Sequence, residues 1–588
     1  MTGNPADLQA SFCAALVDEW ERGRVCAAVV SPGSRSTPLA LALAGSALPL
    51  HVVLDERSAS FVALGLARAA GRPVVLLCTS GTAAAQYHAA VVEAGLDRVP
   101  MIVCTADRPP ELHGIGAPQT VDQQRLYGTS VRWFCDPGVA VVENCFAWRS
   151  VGARSVIEAT DGPFGPGPVH LNLPFREPLV GVADAVPEGR AGGEPWHRGV
   201  PGVHTLTPTD KERLRDRVDG ARGVIVAGGG LREPWLVLEL GALLGWPVLA
   251  DPRSGCRVPD AAVVSTADAF LRDPAIAEAL RPDVVLRFGG PSASKVVGQW
   301  LEGAGFDVLV DPHSAWLDPR RSAALVLDTD LTSVCNAIAG VKRCAAEWTE
   351  RWRSAELAAA GALSAVLDNS EEHDPDGLLL AVREPMVARA VLAAVADGGH
   401  LVVSSSMPVR DVEWFGAPRR GVQVYVNRGA NGIDGVLSTI LGVAAAGVGP
   451  TVGLLGDLAF LHDIGALVWA AGGGVDVTIV VVDNGGGGIF EFLPQASSTA
   501  VGRERFELLF GTPQDVDVVA VARGFEARVV EVDTVRALTD EVRKSQARPG
   551  VDIVVIRSDR VANVVGHDLI NTAAIAAVRD AWGLPPGP

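Results

Sequence analysis

The stretch HVVLDERSASFVALGLARAAGRP, His51 to Pro73, sets two acids at a junction. His51–Leu54 reads as a short buried strand and Ser58–Ala70 as a helix of small and apolar residues. Asp55 and Glu56 therefore stand where the carboxyl end of a strand meets the start of a helix. A first-turn acid there is favoured by the helix dipole. The same place is where parallel α/β sheets gather ligand-binding groups. A second constellation is GDLAFLHDIGALVWAAGGGVDVTIVVVDNGGGGIF, Gly456 to Phe490. A strand ends in Gly456-Asp457, a helix follows, and the very apolar run Val477–Val482 leads to Asn484 and four glycines. Asp457 and Asn484 are 27 positions apart, close to the ~30 residues of one strand–helix–strand unit. Both side chains should thus emerge at one sheet edge. A carboxylate, an amide oxygen and a loop carbonyl make an all-oxygen site suited to Mg²⁺, which usually bridges to phosphate oxygens. The Gly485–Gly488 run lets backbone approach a ligand. A plain crossover with Asp457 as helix cap competes on equal terms. A dinucleotide fingerprint fits less well, because GGGG lacks the G-x-G-x-x-G spacing.

The elements that must position these residues alternate from end to end. CAAVVS (Cys26–Ser31), PVVLLCTS (Pro73–Ser80) and PMIVCTA (Pro100–Ala106) are continuous apolar strands between helix-like runs. That pattern indicates parallel sheets covered on both faces. Linker composition in PEGRAGGEPWHRGVPG (Pro187–Gly202) closes a first domain. A second set contains GVIVAGGG, PVLAD, DVVLRFGG and DVLVDP, between Gly223 and Pro312. The polar LDNSEEHDPDGLL (Leu367–Leu379) connects to a third set, with HLVVSSS, VQVYVN, TVGLLGD, VDVTIVVVDN and VDIVVIRSD. The expected architecture is α/β, three doubly wound parallel-sheet domains over residues 1–190, 203–366 and 380–588. Glu56, Ser80, Asp107–Arg108, Asp457 and Asn484 all fall at expected strand ends.

The totals narrow the classes. At 588 residues, 48% hydrophobic and 20% charged, the chain can build several cores. No apolar run reaches the ~18 residues of a membrane span without glycine or charge interrupting it. The acidic N-terminal stretch lacks the basic region of a secretory signal. Nine scattered cysteines without a C-x-x-C pair fit reduced thiols in the cytoplasm. A net charge of −18 disfavours nucleic acid as a partner, but leaves anionic small substrates open.

The Gly456–Asn484 segment resembles the thiamine diphosphate-binding motif, and Glu56 resembles the glutamate that serves the aminopyrimidine N1′ in such enzymes. A carboxyl donating to N1′ must be protonated, which an apolar pocket favours. VVSPGSRSTPLALAL (Val29–Leu43), CTSGTAAAQYHAAVVEA (Cys78–Ala94), TADRPPEL (Thr105–Leu112), VYVNRGANGIDG (Val424–Gly435) and GDLAFLHD (Gly456–Asp463) narrow the likeness. Together they resemble the 2-succinyl-5-enolpyruvyl-6-hydroxy-3-cyclohexene-1-carboxylate synthases of menaquinone biosynthesis. The resemblance runs from about residue 10 to about residue 560.

That resemblance implies pyrimidine-binding, central and diphosphate-binding domains, thiamine diphosphate with Mg²⁺ or Mn²⁺, and a homodimer or homotetramer with sites between chains. It implies decarboxylation of 2-oxoglutarate and 1,4-addition of the resulting succinyl carbanion equivalent to isochorismate. The cation ligands implied are Asp457, Asn484 and, by register, the Gly486 carbonyl, since DNGGGG departs from the family's asparagine-rich character there. Gly456, Ser406, Ile433 and Ile489 match cofactor positions, Ile433 as the apolar prop. Ser34, Arg35, Arg108, Gln119, Arg410 and Arg428 match the substrate region. Arginine suits two dicarboxylates because its fork binds carboxylates bidentately. Lys295 is a further candidate, although Val296 follows it where relatives carry another basic residue. Phe490 and Leu493 extend an apolar wall that excludes water. The expected catalytic set is Glu56, Arg410, Arg428 and Gln119. Two other readings remain: a different thiamine diphosphate decarboxylase or carboligase, and a non-catalytic nucleotide-binding protein.

Overall fold

The computed structural model describes residues 4–368 and 383–587. Most of the connection expected at Leu367–Leu379 lies outside the described residues. Three six-stranded sheets, parallel in every pairing, carry the chain. The apolar continuity of the strands has a direct cause in the first sheet. Val75 and Leu77 pack into one buried cluster with Ile102 and Cys104. Their neighbours Val74, Leu76 and Cys78 pack into a second cluster with Met101 and Val103. Both faces are covered, so alternation disappears from the sequence.

The chain folds into two compact units. The first holds Met1–Gly202 with Asn427–Val448 and His462–Asp476; the second holds Val203–Val426 with Gly449–Leu461 and Val477–Pro588. In the first unit the strand order is Leu50–Val52, Ala27–Val30, Val74–Cys78, Met101–Asp107, Pro168–Pro174, Phe134–Cys135. Strand order reverses between Ala27–Val30 and Val74–Cys78, which opens a crevice beyond their carboxyl ends. The helix Glu56–Ala70 starts at an Asp55 cap and ends at Gly71 in the left-handed region. It crosses the helix Val436–Ala445 at backbone distance. A Cβ on Gly65 would sit 2.3 Å from the Thr439 carbonyl oxygen, and one on Gly442 would sit 2.2 Å from that of Val62. This crossing explains why Asn427–Val448, which opens with NRGANGIDG, belongs to the first unit.

The second unit contains two sheets. One runs Leu325–Leu327, Phe306–Val310, Val284–Phe288, Gly223–Ala227, Val248–Ala250, Val263–Val264. Its order reverses between Gly223–Ala227 and Val284–Phe288, but there the backbone fills its own crevice: Gly290 N–H donates to the Gly229 carbonyl at 2.8 Å. The other runs Val422–Val426, Gly399–Val403, Thr451–Gly456, Val477–Asp483, Val551–Arg557, Arg528–Val532. It reverses between Gly399–Val403 and Thr451–Gly456. The helix Arg560–Ala581 is long and apolar enough to cross a membrane. It packs on the helix Ala346–Leu367, and its buried His567 pairs with Asp411 at 2.8 Å.

Candidate active site

In the first unit, Asp55 performs the cap: its carboxylate accepts the Arg57 N–H at 3.1 Å and the Ser58 hydroxyl at 2.9 Å. Glu56 is the first helical residue, half-buried, and no described residue donates to its carboxylate. The structural duty open to Glu56 is thus already taken by its neighbour. Arg57 donates to the His462 carbonyl at 3.1 Å. The buried Asp463 accepts from Ser438 N–H at 2.6 Å and so caps the helix packed against Glu56's own. Burial raises Asp463 to about 6, opposed by its Ser438 bonds.

The crevice of the first sheet gathers four of the expected substrate residues. Ser34 is exposed, and the Arg35 amide donates to the Thr79 hydroxyl at 3.3 Å. Arg35 is 7% exposed and donates to the Phe175 carbonyl and Glu177, both at 3.0 Å, while its Nε has no partner. Arg108 leaves the end of Met101–Asp107 and donates to the Ser80 hydroxyl at 2.8 Å. Burial, and next the charge of Arg35, hold Arg108 below its ordinary pKa. Two arginines close enough to repel, with Glu177 as a counter-charge, favour an incoming anion. Gln119, at φ +57°, donates to the Ser80 carbonyl at 3.0 Å. Beneath them Gln123 accepts the Gly81 N–H at 2.9 Å and donates to Asn172 at 3.0 Å. Asn172 in turn donates to Asp107 at 2.9 Å. This polar layer fixes the loop.

Arg428 lies on a clamped loop. The buried Glu93 accepts the N–H groups of Gly429 at 2.8 Å and Ala430 at 2.6 Å. Arg68 ties Asp97 at 2.6 Å to the Asn427 amide at 2.9 Å. Ile433 is half-buried just before the helix Val436–Ala445. Sequence reasoning missed Glu93. Its signal was an acid in mid-run among the small and apolar residues of HAAVVEAGLD.

In the second unit, Gly456 pairs with Val482 across neighbouring strands, so Asp457 and Asn484 leave the sheet at the same edge. Asp457 is buried and accepts Leu458 N–H and Gly486 N–H, each at 2.8 Å. Burial pushes its carboxyl up to about 6, with the Leu458 amide opposing and Asp483 adding. Asn484 donates its Nδ2 to the buried Glu384 at 2.9 Å. Its Oδ1 is buried without a partner. Gly486 has φ +139°, and a Cβ there would lie 2.2 Å from the Gly511 carbonyl oxygen. Only glycine brings this carbonyl-bearing loop so close.

These residues fit a hard divalent cation: a carboxylate and an orphaned amide oxygen at one sheet edge, with a loop carbonyl beside them. Among the described residues no group of three or more His, Cys, Asp or Glu could hold a metal, so an oxygen set with one carboxylate is the candidate. Across the strand-order reversal from Asp457 stands Ser406, at φ +76°, a strained conformation of the kind stored at functional sites. Arg410, half-buried on the helix Met407–Phe415, donates to the Ser406 carbonyl at 2.5 Å. Burial lowers its pKa, opposed by Glu413 and Asp411. Ile489 and Phe490 lie in the short helix Gly488–Phe492, with Leu493 after it. All three are half-buried, and the Phe490 ring meets Phe510 at 5.7 Å. Lys295 is exposed at the start of Lys295–Leu301, whose cap is Ser294. Glu384 was not foreseen, because in REPMVARAVL it reads as an ordinary first-turn acid.

Three family models match the chain: "Thiamine pyrophosphate enzyme, N-terminal TPP binding domain" over residues 12–126, "Middle domain of thiamine pyrophosphate" over 192–373, and "Thiamine pyrophosphate enzyme, C-terminal TPP binding domain" over 409–556. The 2-succinyl-5-enolpyruvyl-6-hydroxy-3-cyclohexene-1-carboxylate synthase of Myxococcus xanthus is 43% identical over 96% of this chain and 96% of its own. The enzymes of that name from Geobacillus kaustophilus and Listeria innocua are 39% and 38% identical, each over 96% of this chain and 98% of theirs. Among solved structures, benzoylformate decarboxylase from Polynucleobacter necessarius superposes with a TM-score of 0.71. It is 17% identical over 93% of this chain and 98% of that one, a likeness of fold.

Proposed function

The chain belongs to the 2-succinyl-5-enolpyruvyl-6-hydroxy-3-cyclohexene-1-carboxylate synthase family, and from that premise we infer how its residues divide the work. It is a thiamine diphosphate-dependent transferase that decarboxylates 2-oxoglutarate and adds the remaining four-carbon unit to isochorismate in a 1,4-addition, releasing CO2. When bound, thiamine diphosphate supplies the nucleophilic carbon and the electron sink for CO2 loss. Mg²⁺ or Mn²⁺ is held by Asp457, the Asn484 Oδ1 and the Gly486 carbonyl. The observation that carries this assignment is the buried, partnerless Asn484 Oδ1 at the sheet edge it shares with Asp457.

Glu56 carries a proton at its carboxyl and hands it on. Its availability is supported by Asp55, which alone performs the cap. Gly456, Ser406, Ile433 and Ile489 shape the cofactor cavity. Arg410 orients a carboxylate of 2-oxoglutarate. Arg35, Arg108 and Arg428, with Ser34 and Gln119, orient isochorismate; the mutual repulsion of Arg35 and Arg108 supports an anion there. Phe490 and Leu493 exclude water from the reacting carbons. Lys295, exposed at the start of its helix, has the weakest structural support.

The domain division 1–190, 203–366 and 380–588 is supported by each sheet drawing all its strands from one span. The protein works as a homo-oligomer, a dimer or dimer of dimers, in which one chain's Glu56 serves another chain's Asp457. Nine free cysteines support a reducing compartment such as the cytoplasm. Mass spectrometry after mixing the protein with thiamine diphosphate, Mg²⁺, 2-oxoglutarate and isochorismate should give the named product. Turnover of pyruvate alone, with isochorismate untouched, would overturn the substrate assignment. Mixing inactive Glu56→Gln and Asp457→Ala subunits should restore activity, because one site in each mixed dimer is intact; no recovery after verified exchange would refute sites between chains.

A further inference from the structure

An asparagine amide has two chemically opposite ends of nearly equal size, and only its oxygen can hold a cation. Something must therefore choose which end of Asn484 faces the cation position. The choice is legible in the second unit. Asn484 Nδ2 donates to the Glu384 Oε1 at 2.9 Å, so that carboxyl oxygen is the acceptor. A reversed amide would set oxygen against oxygen. The amide must turn its NH2 end to Glu384, which leaves Oδ1 on the opposite side, buried and without a partner. Gly488 leaves the amide room but does not choose its end. A Cβ there would lie 2.7 Å from Nδ2, so only glycine leaves room for the amide in this pose.

Glu384 is itself buried. It is 5% exposed, on the helix Arg383–Ala394, and behind it the buried Asp411 and His567 pair at 2.8 Å. His567 is oriented in turn by the Asn563 carbonyl at 2.8 Å.

We propose that Glu384 is a positioning residue for the divalent cation, fixing the Asn484 amide so that its carbonyl oxygen faces the cation position. The proposal rests on the reading of Asp457, Asn484 and Gly486 as the cation site. It assigns work to a residue that contacts neither cation nor substrate. Groups that orient metal ligands from behind typically affect affinity by about 10–100-fold.

The test is Mn²⁺ titration followed by electron paramagnetic resonance, on the full chain with saturating thiamine diphosphate and with folding checked by circular dichroism. Glu384→Met removes the acceptor at nearly constant shape, and should weaken Mn²⁺ by at least about 10-fold. Glu384→Gln keeps an acceptor oxygen and should stay within about 3-fold of the parent, because its amide can still turn that oxygen to the Asn484 NH2 end when the cation is bound. A folded Glu384→Met protein that binds Mn²⁺ like the parent overturns the proposal. So does an equal loss in the Gln variant, which would make charge rather than amide orientation the cause. If the Met variant does not fold, Glu384→Asp decides in the same way, since it draws the acceptor back by one methylene. Asp457→Ala separates the two layers of the argument. If it leaves Mn²⁺ binding intact, the cation site itself is misassigned; if it abolishes binding while the Glu384 variants do not weaken it, only the positioning role falls.

Discussion

Asp55 and Glu56 are adjacent acids at one helix start, and the structure gives them separable duties, so replacing each in turn should produce opposite phenotypes. Asp55→Ala removes the acceptor for the Arg57 N–H at 3.1 Å and the Ser58 hydroxyl at 2.9 Å. Loss of such a cap costs about 1 kcal/mol, within a range of roughly 0.5–2. Glu56→Gln removes no partner among the described residues. It keeps side-chain size and helix propensity, so its stability should change by less than about 0.5 kcal/mol. Turnover should reverse that order. Removing a proton-transfer group typically costs about 10²–10⁴-fold, or roughly 3–5 kcal/mol of barrier, whereas weakening the cap should leave most of the rate. Urea unfolding gives the first quantity and steady-state kcat with 2-oxoglutarate and isochorismate gives the second. Thiamine diphosphate binding, followed by tryptophan fluorescence, should survive in both proteins. A Glu56→Gln enzyme with kcat within about threefold of the parent, or one whose rate loss merely tracks a stability loss like that of Asp55→Ala, would refute the assignment.

Gly65→Ala pits helix propensity against packing: alanine gains up to about 1 kcal/mol as a helix former. Its methyl would meet the Thr439 carbonyl at 2.3 Å and the Val443 nitrogen at 2.9 Å. Overpacking of backbone against backbone costs about 1–3 kcal/mol, so the variant should be destabilised in urea, and a stabilised variant would contradict the close crossing. Arg108→Met should raise KM for isochorismate by about 10–100-fold with a smaller change in kcat, because a bond to a charged group is worth roughly 1.5–3 kcal/mol; an unchanged KM would remove Arg108 from the substrate site. His170 is fully buried, and burial lowers its pKa from 6.5 to about 3. The unfolded chain therefore takes up a proton below about 6.5 that the folded chain refuses until about 3, and stability falls across that window by up to roughly 1.4 kcal/mol per pH unit. Urea midpoints of the His170→Gln protein should fall less steeply between pH 6.5 and 5 than those of the parent, and parallel curves would rule His170 out.

The sequence by itself determined the local chemistry. Apolar runs of strand length fixed the parallel sheets, because strands covered on both faces need no polar alternation, as Val74–Cys78 illustrates. The 27-residue spacing placed Asp457 and Asn484 at one edge, because a crossover helix of ordinary length returns the chain to the neighbouring strand in register. The family resemblance singled out Glu56, but local pattern left open which of the adjacent acids Asp55 and Glu56 caps the helix, since capping depends on the φ and ψ of one residue. Tertiary structure alone decided that Arg35 and Arg108 converge, and that the segment after Arg428 joins the first unit through Gly65 and Gly442. It alone supplied Glu93 and Glu384, whose partners lie 336 and 100 residues away. Sequence spacing reports neighbours along a strand or helix. A buried carboxylate is defined by the donor that meets it, and only the packed chain brings that donor near.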